Sequence, residues 1–216
     1  MTKHDCCVSI TARDVDIGAD NIVSKPPLAN DASNLKGSAK ALVGIAGSFS
    51  DTNLTLNTNV DIDDADITVT GTPSNDAVLR LNAYNQIDVA EKVSFTAGGL
   101  GAGARVDTNI QAMTDVARVS IGDGAKLVSS GAIVMSSRGS GDMDISASAE
   151  ANGGVGVVVG VSEIDIRPLN EVIVGDADIL AVGDIWLSAG RSGDFESDWY
   201  RMESRIDSYS SAVIPV

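Results

Sequence analysis

The chain has one histidine, His4, and two cysteines, the adjacent pair Cys6 and Cys7. A single histidine excludes a two-histidine metal site. A Ser-His-Asp triad would have to be built on residues 1–7, a stretch read as disordered. Neighbouring cysteines rarely bridge each other, because the geometry is strained. They are read as ordinary residues beside a fraying end, with an intermolecular disulfide or a metal contact as the alternative. Aromatics make up only 4% of the sequence, and the apolar load falls on Ala, Val, Ile and Leu beside 22 glycines. Side chains that small suit a narrow interior of thin layers better than a broad core. Long hydrophobic runs are missing too. The longest stretch of purely apolar and glycine residues, 153–161, is about half of the roughly 20 residues a membrane helix needs, so no membrane insertion is expected. Basic residues are scarce: fifteen Lys and Arg stand against thirty Asp and Glu, a net charge of -15. That field repels nucleic acid and anionic headgroups, and neither is expected as a partner. The opening MTKHDCCV has no basic region followed by an apolar one, so no secretory signal is expected in it.

What the sequence does have is repetition. Residues 172–189 read VIVGDADILAVGDIWLSA, residues 119–137 read VSIGDGAKLVSSGAIVMSS, and residues 60–71 read VDIDDADITVTG before the closing phrase LRLNA at 79–83. A fourth closing phrase, VSITA, stands at 8–12. Aligned on Ala12, Ala83, Ser137 and Ala189, the intervals are 71, 54 and 52 residues. The long one contains TPSNDA, an insertion of about six residues that belongs on a surface. The units run approximately over 8–78, 79–132, 133–184 and a partial 185–216. A second phrase marks the far side of each unit, as in VVVGV at 157–161 and AVIPV at 212–216, so the chain is expected to stop inside its own repeat. Pro215 would mark a strand edge there.

Within each unit the apolar period is two, as at Val60 and Ile62, Val119 and Ile121, Val172 and Val174. Gly, Ser, Thr, Asn and Asp interrupt every window long enough for a helix. One unit divides into six short strands, near 116–121, 126–128, 132–136, 143–147, 155–161 and 163–166. The expectation is an all-β parallel β-helix (β-solenoid) in a single domain. Its repeat of about 52–60 residues would make about two three-sided coils of roughly 26 residues each, stacked about 4.8 Å apart. An elongated β-sandwich is the alternative.

The phrase VVVGVS, then VIVGDADILAVGDIWLSA, then a Ser/Gly/Asp stretch, resembles the repeats of giant filamentous adhesins and leukotoxin-like proteins of bacterial surfaces. It is similar, more loosely, to filamentous-haemagglutinin-type β-helices. The resemblance covers residues 8–216. It implies an extracellular, elongated β-helical module cut from a longer precursor, with no catalytic residues to carry over.

Asp64, Asp123 and Asp176 recur after equivalent strands, where a carboxylate can cap its own backbone two residues on. Calcium is the sharper reading, since VDIDDADI offers Asp61, Asp63, Asp64 and Asp66 within six residues. Lys126 replaces the fourth acid in the middle unit, however, which argues against a shared ion ladder. No cofactor is expected beyond that calcium candidate. Acid pairs abound among thirty carboxylates, so a polysaccharide-cleaving site is not singled out by any one of them. The runs at 98–103 and 153–160 lack the helix that a phosphate loop needs and read as tight corners or close-packed strands. In the closing phrase the residue between the apolar positions is Ser9, Arg80, Val134 or Trp186, which varies as a solvent face does. Trp186, with Trp199 and Tyr200 downstream, is the candidate interaction surface, for sugar stacking or a neighbouring subunit, unless the segment after residue 190 folds over Trp186 as a flap. The expected function is a structural or adhesive repeat module that self-associates end to end, with glycans or a host surface as possible partners. A secreted carbohydrate- or calcium-binding β-helix is the alternative, and a β-helix enzyme comes third.

Overall fold

The computed structural model describes residues 8–26, 35–72, 77–194 and 196–212. His4, Cys6, Cys7, residues 73–76 of the inserted loop and Pro215 lie outside the described residues. Among those described there is no helix. The strands in chain order are β1 (Val8–Ala12), β2 (Val15–Lys25), β3 (Leu35–Lys40), β4 (Val43–Ile62), β5 (Ala65–Val69), β6 (Val78–Ile121), β7 (Lys126–Ser129), β8 (Ala132–Val174), β9 (Asp178–Ala181), β10 (Ile185–Ala189) and β11 (Trp199–Ala212).

Two expectations about these strands need correction. They are not all short: β6 and β8 run for 44 and 43 residues. Gly and Ser break a strand only where the backbone leaves the extended region, and positive φ among the described residues is confined to Asp64, Gly99, Gly124 and Gly190. The other glycines in the long strands stay in the ladders. Nor does a repeat make two coils. Leu79 pairs with Ile133, and Ile133 with Ile185, so each hydrogen-bonded neighbour lies a whole repeat away. One repeat is one tier.

All ladders between named strands are parallel, unlike those of a sandwich threaded up and down. A short sheet stacks β1, β5, β7 and β9, and a long, curled sheet stacks β2, β3 and β4 on β6, β6 on β8, and β8 on β10 and β11. The register also moves the first repeat. VSITA lies on β5, with Ile10 against Ile67, and the partner of the closing phrase at 79–83 is VDIGA at 15–19.

Each tier folds back on itself. In β6 an outgoing arm, 78–98, faces a return arm, 101–121: Ile87 and Val89 share a core cluster with Ile110 and Ala112, and Val93 and Ala97 share another with Ala102 and Val106. Alternate side chains point into the gap and are almost completely buried. Burying a Leu, Ile or Val contributes about 1.5–3 kcal/mol, and this pays the ordering entropy of so extended a chain. Beside the short sheet the gap is filled by Leu79, Leu81, Leu127, Ile133 and Met135, and near the bend mostly by alanines 97, 102, 104, 147, 149 and 151 with Phe95 among them. Scarce aromatics and abundant alanine match that filling. At the bend a Cβ on Gly99 would lie 1.8 Å from the Ala41 carbonyl oxygen of the tier before, at φ +155°. Only glycine fits there.

Candidate functional site

The four acids of VDIDDADI occupy the turn between β4 and β5. Alternation points Asp61 to solvent while Ile62 is buried, and Asp63 is exposed beyond it. Asp64 sits in the turn at φ 46°, and Asp66 is the half-buried partner of Lys126 in the ladder. They do not converge: among the described residues no group of three or more His, Cys, Asp or Glu side chains could hold a metal ion. In the tier above, Asp123 accepts the backbone N–H of Asp176 at 2.8 Å, so its carboxylate caps the next tier's turn and not its own. A turn aspartate in this stack is a fastener between tiers.

The aromatic candidates separate. Trp186 and Trp199 are about half exposed, at 47% and 53%. The segment after Gly190 does fold back: Arg191 and Ser197 form an antiparallel bridge, Ser192 N–H donates to Glu196 O at 2.8 Å, and Arg138 is ion-paired with Glu196. It packs on Val134 and Arg138 of the tier below, and Trp186 keeps nearly half of its surface open. Tyr200, one position along β11, alternates inward. Its side chain is half-buried.

The Tyr200 hydroxyl donates to Asp115 Oδ2 at 2.9 Å, and Asn85 Nδ2 donates to Asp115 Oδ1 at 2.8 Å. Thr58 Oγ1 donates to Asn85 Oδ1 at 2.5 Å, and Asn85 Nδ2 also reaches Val116 O at 2.9 Å. Side chains from three tiers therefore meet in one buried polar seam. Asn85 and Asp115 are 1% and 2% exposed. A bulge aims Asp115: β6 has one residue more than its neighbours between Ala112 and Asp115, which switches the inward positions from even to odd numbers. Gly139 makes room for the phenol, since a Cβ there would lie 2.0 Å from the Tyr200 hydroxyl. Burial and the adjacent Asp115 carboxylate push the Tyr200 phenol well above its ordinary range. Asp198 closes the seam, accepting the Gly139 N–H at 3.0 Å and a hydrogen bond from Asn170. Burial pushes its carboxyl up, against the opposing pull of the Gly139 N–H and Arg138.

A second polar node lies further along the same gap. Glu91, 2% exposed, is ion-paired with Lys25 and bonded by Thr52, by Ser50 at 3.0 Å and by Thr108 at 3.2 Å. Burial alone would raise its pKa, but the hydrogen bonds from Lys25, Thr52 and Ser50 and the charge on Lys25 outweigh burial and hold it low. Asp115 and Glu91 are thus sealed from solvent with both oxygens of each engaged, an arrangement suited to fixing register. Outside, a cleft of about 260 Å³ lies between the folded-back segment and the outgoing arms, lined by Arg80, Asn82, Tyr84, Arg138 and Asp194 among others. Arg138 stacks on the Tyr84 ring, 4.5 Å from its centroid.

The sequence did carry a signal for both nodes. In β6 the inward set Leu79, Leu81, Ala83, Ile87, Val89, Val93 is broken only by Asn85 and Glu91, at the same parity. Polar residues inside an unbroken alternation are buried ones. No family model, no curated protein and no solved structure matches the chain.

Proposed function

We propose that the chain is a β-solenoid segment serving as a structural and adhesive module of an extracellular, bacterial-surface type of filament, associating through its ends. One observation supports this reading: the apolar inner face of the last described tier is open. In the last tier the inward-pointing Ile185, Leu187, Met202 and Ile206 are 44–53% exposed, whereas the side chains beneath them, such as Ile133 and Met143, are at 0%. Parallel edges of this kind template further strands. Concentration-dependent light scattering and electron microscopy of the purified chain are expected to show elongated assemblies. A strict monomer at high concentration overturns the reading.

A second reading, glycan binding, rests on the two half-exposed tryptophans, Trp186 on β10 and Trp199 on β11. Glycan-array binding lost in Trp186→Ala would favour it, and an array without signal for the parent chain would remove it.

A further inference from the structure

One segment leaves the path of the tiers. β8 passes from Ser137 to Ser140 over residues 138 and 139, whereas the ladder partners of those two serines, Ala189 of β10 and Trp199 of β11, are separated by residues 190–198. The surplus turns outward and folds back. It is tied by the Arg191–Ser197 bridge, by reciprocal bonds in which Ser192 N–H donates to Glu196 O at 2.8 Å and Glu196 N–H to Ser192 Oγ at 3.0 Å, and by the Arg138–Glu196 ion pair. Gly193 presses on the outer face of β8, where a Cβ would lie 2.7 Å from Val134 Cγ1. This segment roofs the cleft of about 260 Å³, and outward side chains of β2, β6 and β8 floor it, among them Asp20, Arg80 and Val134. The cleft lies on the flank of the stack and not at an end.

We propose that this cleft binds one neutral hexose unit of a glycan. The proposal rests on the glycan reading above and places the contact in the cleft, which neither Trp186 nor Trp199 lines.

The groups of the cleft divide into a fixed frame and a set with bonding capacity to spare. In the frame Ser136 Oγ donates to Asn82 Oδ1 at 2.6 Å, the Tyr84 hydroxyl lies 2.6 Å from Ser140 Oγ, and Arg138 stacks on the Tyr84 ring while paired with Glu196. These groups are already ordered, so a ligand does not have to order them. What they leave over is matched in kind. Asn82 keeps Nδ2 as a donor, with one long contact of 3.5 Å to Asp16. Arg80 stands 3.9 Å from Asp14, and among the described residues the carboxylates of Asp20 and Asp194 accept no hydrogen bond. Two donors and two acceptors therefore face one small volume. Adjacent hydroxyls of a pyranose ring each donate and accept, so a diol can give its protons to a carboxylate and take a hydrogen bond from a guanidinium or an amide. Val134 is the apolar wall for the C–H face of the ring. Other ligands fit worse. The net charge of -15 repels an anion, and Arg80 opposes a cation. Among the described residues no group of three or more His, Cys, Asp or Glu side chains could hold a metal ion. A hydrocarbon would strip water from these polar side chains and replace none of its hydrogen bonds. Size narrows the class, because pockets for drug-sized ligands run to about 300–1,000 Å³. A cleft of about 260 Å³ holds one sugar ring and not a chain of them.

The test is an NMR titration of the isotope-labelled chain with the methyl glycosides of glucose, galactose and mannose. At least one of them is expected to shift the Gly193 backbone amide and the Asn82 side-chain amide while the Trp186 and Trp199 indoles stay in place. Arg80→Ala and Asp194→Ala change outer-face side chains that the fold does not pack on, and each is expected to weaken binding about tenfold or more, the worth of a charged hydrogen bond. Shifts confined to the indoles, or variants that bind as the parent chain does, overturn the cleft and leave glycan binding standing. Tighter binding of methyl glucuronide than of the neutral glycosides overturns the neutral class. No shift with any of the three glycosides overturns the cleft site, and a glycan array without signal for the parent chain removes the glycan reading with it.

Discussion

At the scale of single residues, the alternation forces a few polar side chains inward, and each of these depends on its hydrogen-bond partners. Tyr200→Phe removes the hydroxyl that satisfies Asp115 Oδ2 and keeps the ring. A buried carboxylate oxygen left without its donor costs about 1–3 kcal/mol, so the urea midpoint is expected to fall accordingly. Trp199→Phe on the exposed face is expected to stay within about 0.5 kcal/mol. The two perturbed carboxylates act with opposite sign. Glu91 is held low, so its contribution is present above the unfolded-state pKa and is lost as pH falls through the folded one. Asp198 is pushed up, so its contribution is complete below the unfolded-state pKa and disappears as pH rises through the folded value. Thermal melts taken downward from neutral pH are therefore expected to show a gain from Asp198 first and a loss from Glu91 at more acid pH. Glu91→Gln should flatten that acid loss. Asn85 and Glu91 were legible in the sequence as polar breaks in an apolar alternation. Tyr200 was not, because its neighbour in the last tier is a single copy of the pattern and nothing beside it in the sequence says which of Trp199 and Tyr200 points in.

At the scale of elements, the all-β class and the parallel stacking follow from the period of two and from the repeat. The strand lengths do not. Dipeptides such as Ser-Gly and Gly-Asp mark a turn only when a residue adopts the backbone of one: Ser130-Gly131 and Gly122-Asp123 lie between strands, whereas Ser140-Gly141-Asp142 stays extended inside β8. The bend at Gly99 is a real exception. Gly99→Ala places a methyl 1.8 Å from the Ala41 carbonyl oxygen and is expected to cost about 2–4 kcal/mol. Gly18→Ala, where the nearest atom to a new Cβ is 3.9 Å away, is expected to change stability by less than about 1 kcal/mol. Equilibrium denaturation of the two variants compares them directly. The misplacement of VSITA has an equally local origin. VSITA and VDIGA both offer two apolar residues and a final alanine, and only the ladder tells them apart.

At the scale of the whole molecule, a net charge of -15 opposes the approach of a second copy. The proposed association at the ends would be driven by apolar side chains and backbone edges, so it is expected to strengthen as salt is raised from low ionic strength. Sedimentation at two salt concentrations checks the sign, and an assembly that dissolves on adding salt would contradict it. Composition announced a thin core. It did not announce that the gap would be long, because length depends on where the tier turns back and not on what fills it.

That one repeat makes one tier has a mechanical consequence. Neighbouring tiers are held by the parallel ladders of the short and long sheets, and a tier from Leu79 to Ile133 stores 54 residues of chain. Pulled along the stack, tiers are expected to peel off one at a time. Each would release roughly 180 Å of contour in exchange for about 4.8 Å of folded height. Single-molecule pulling would record this as successive force peaks, one per tier. An object built this way would yield length in large instalments of 52–64 residues while the remaining tiers stay folded, as a shock-absorbing tether does.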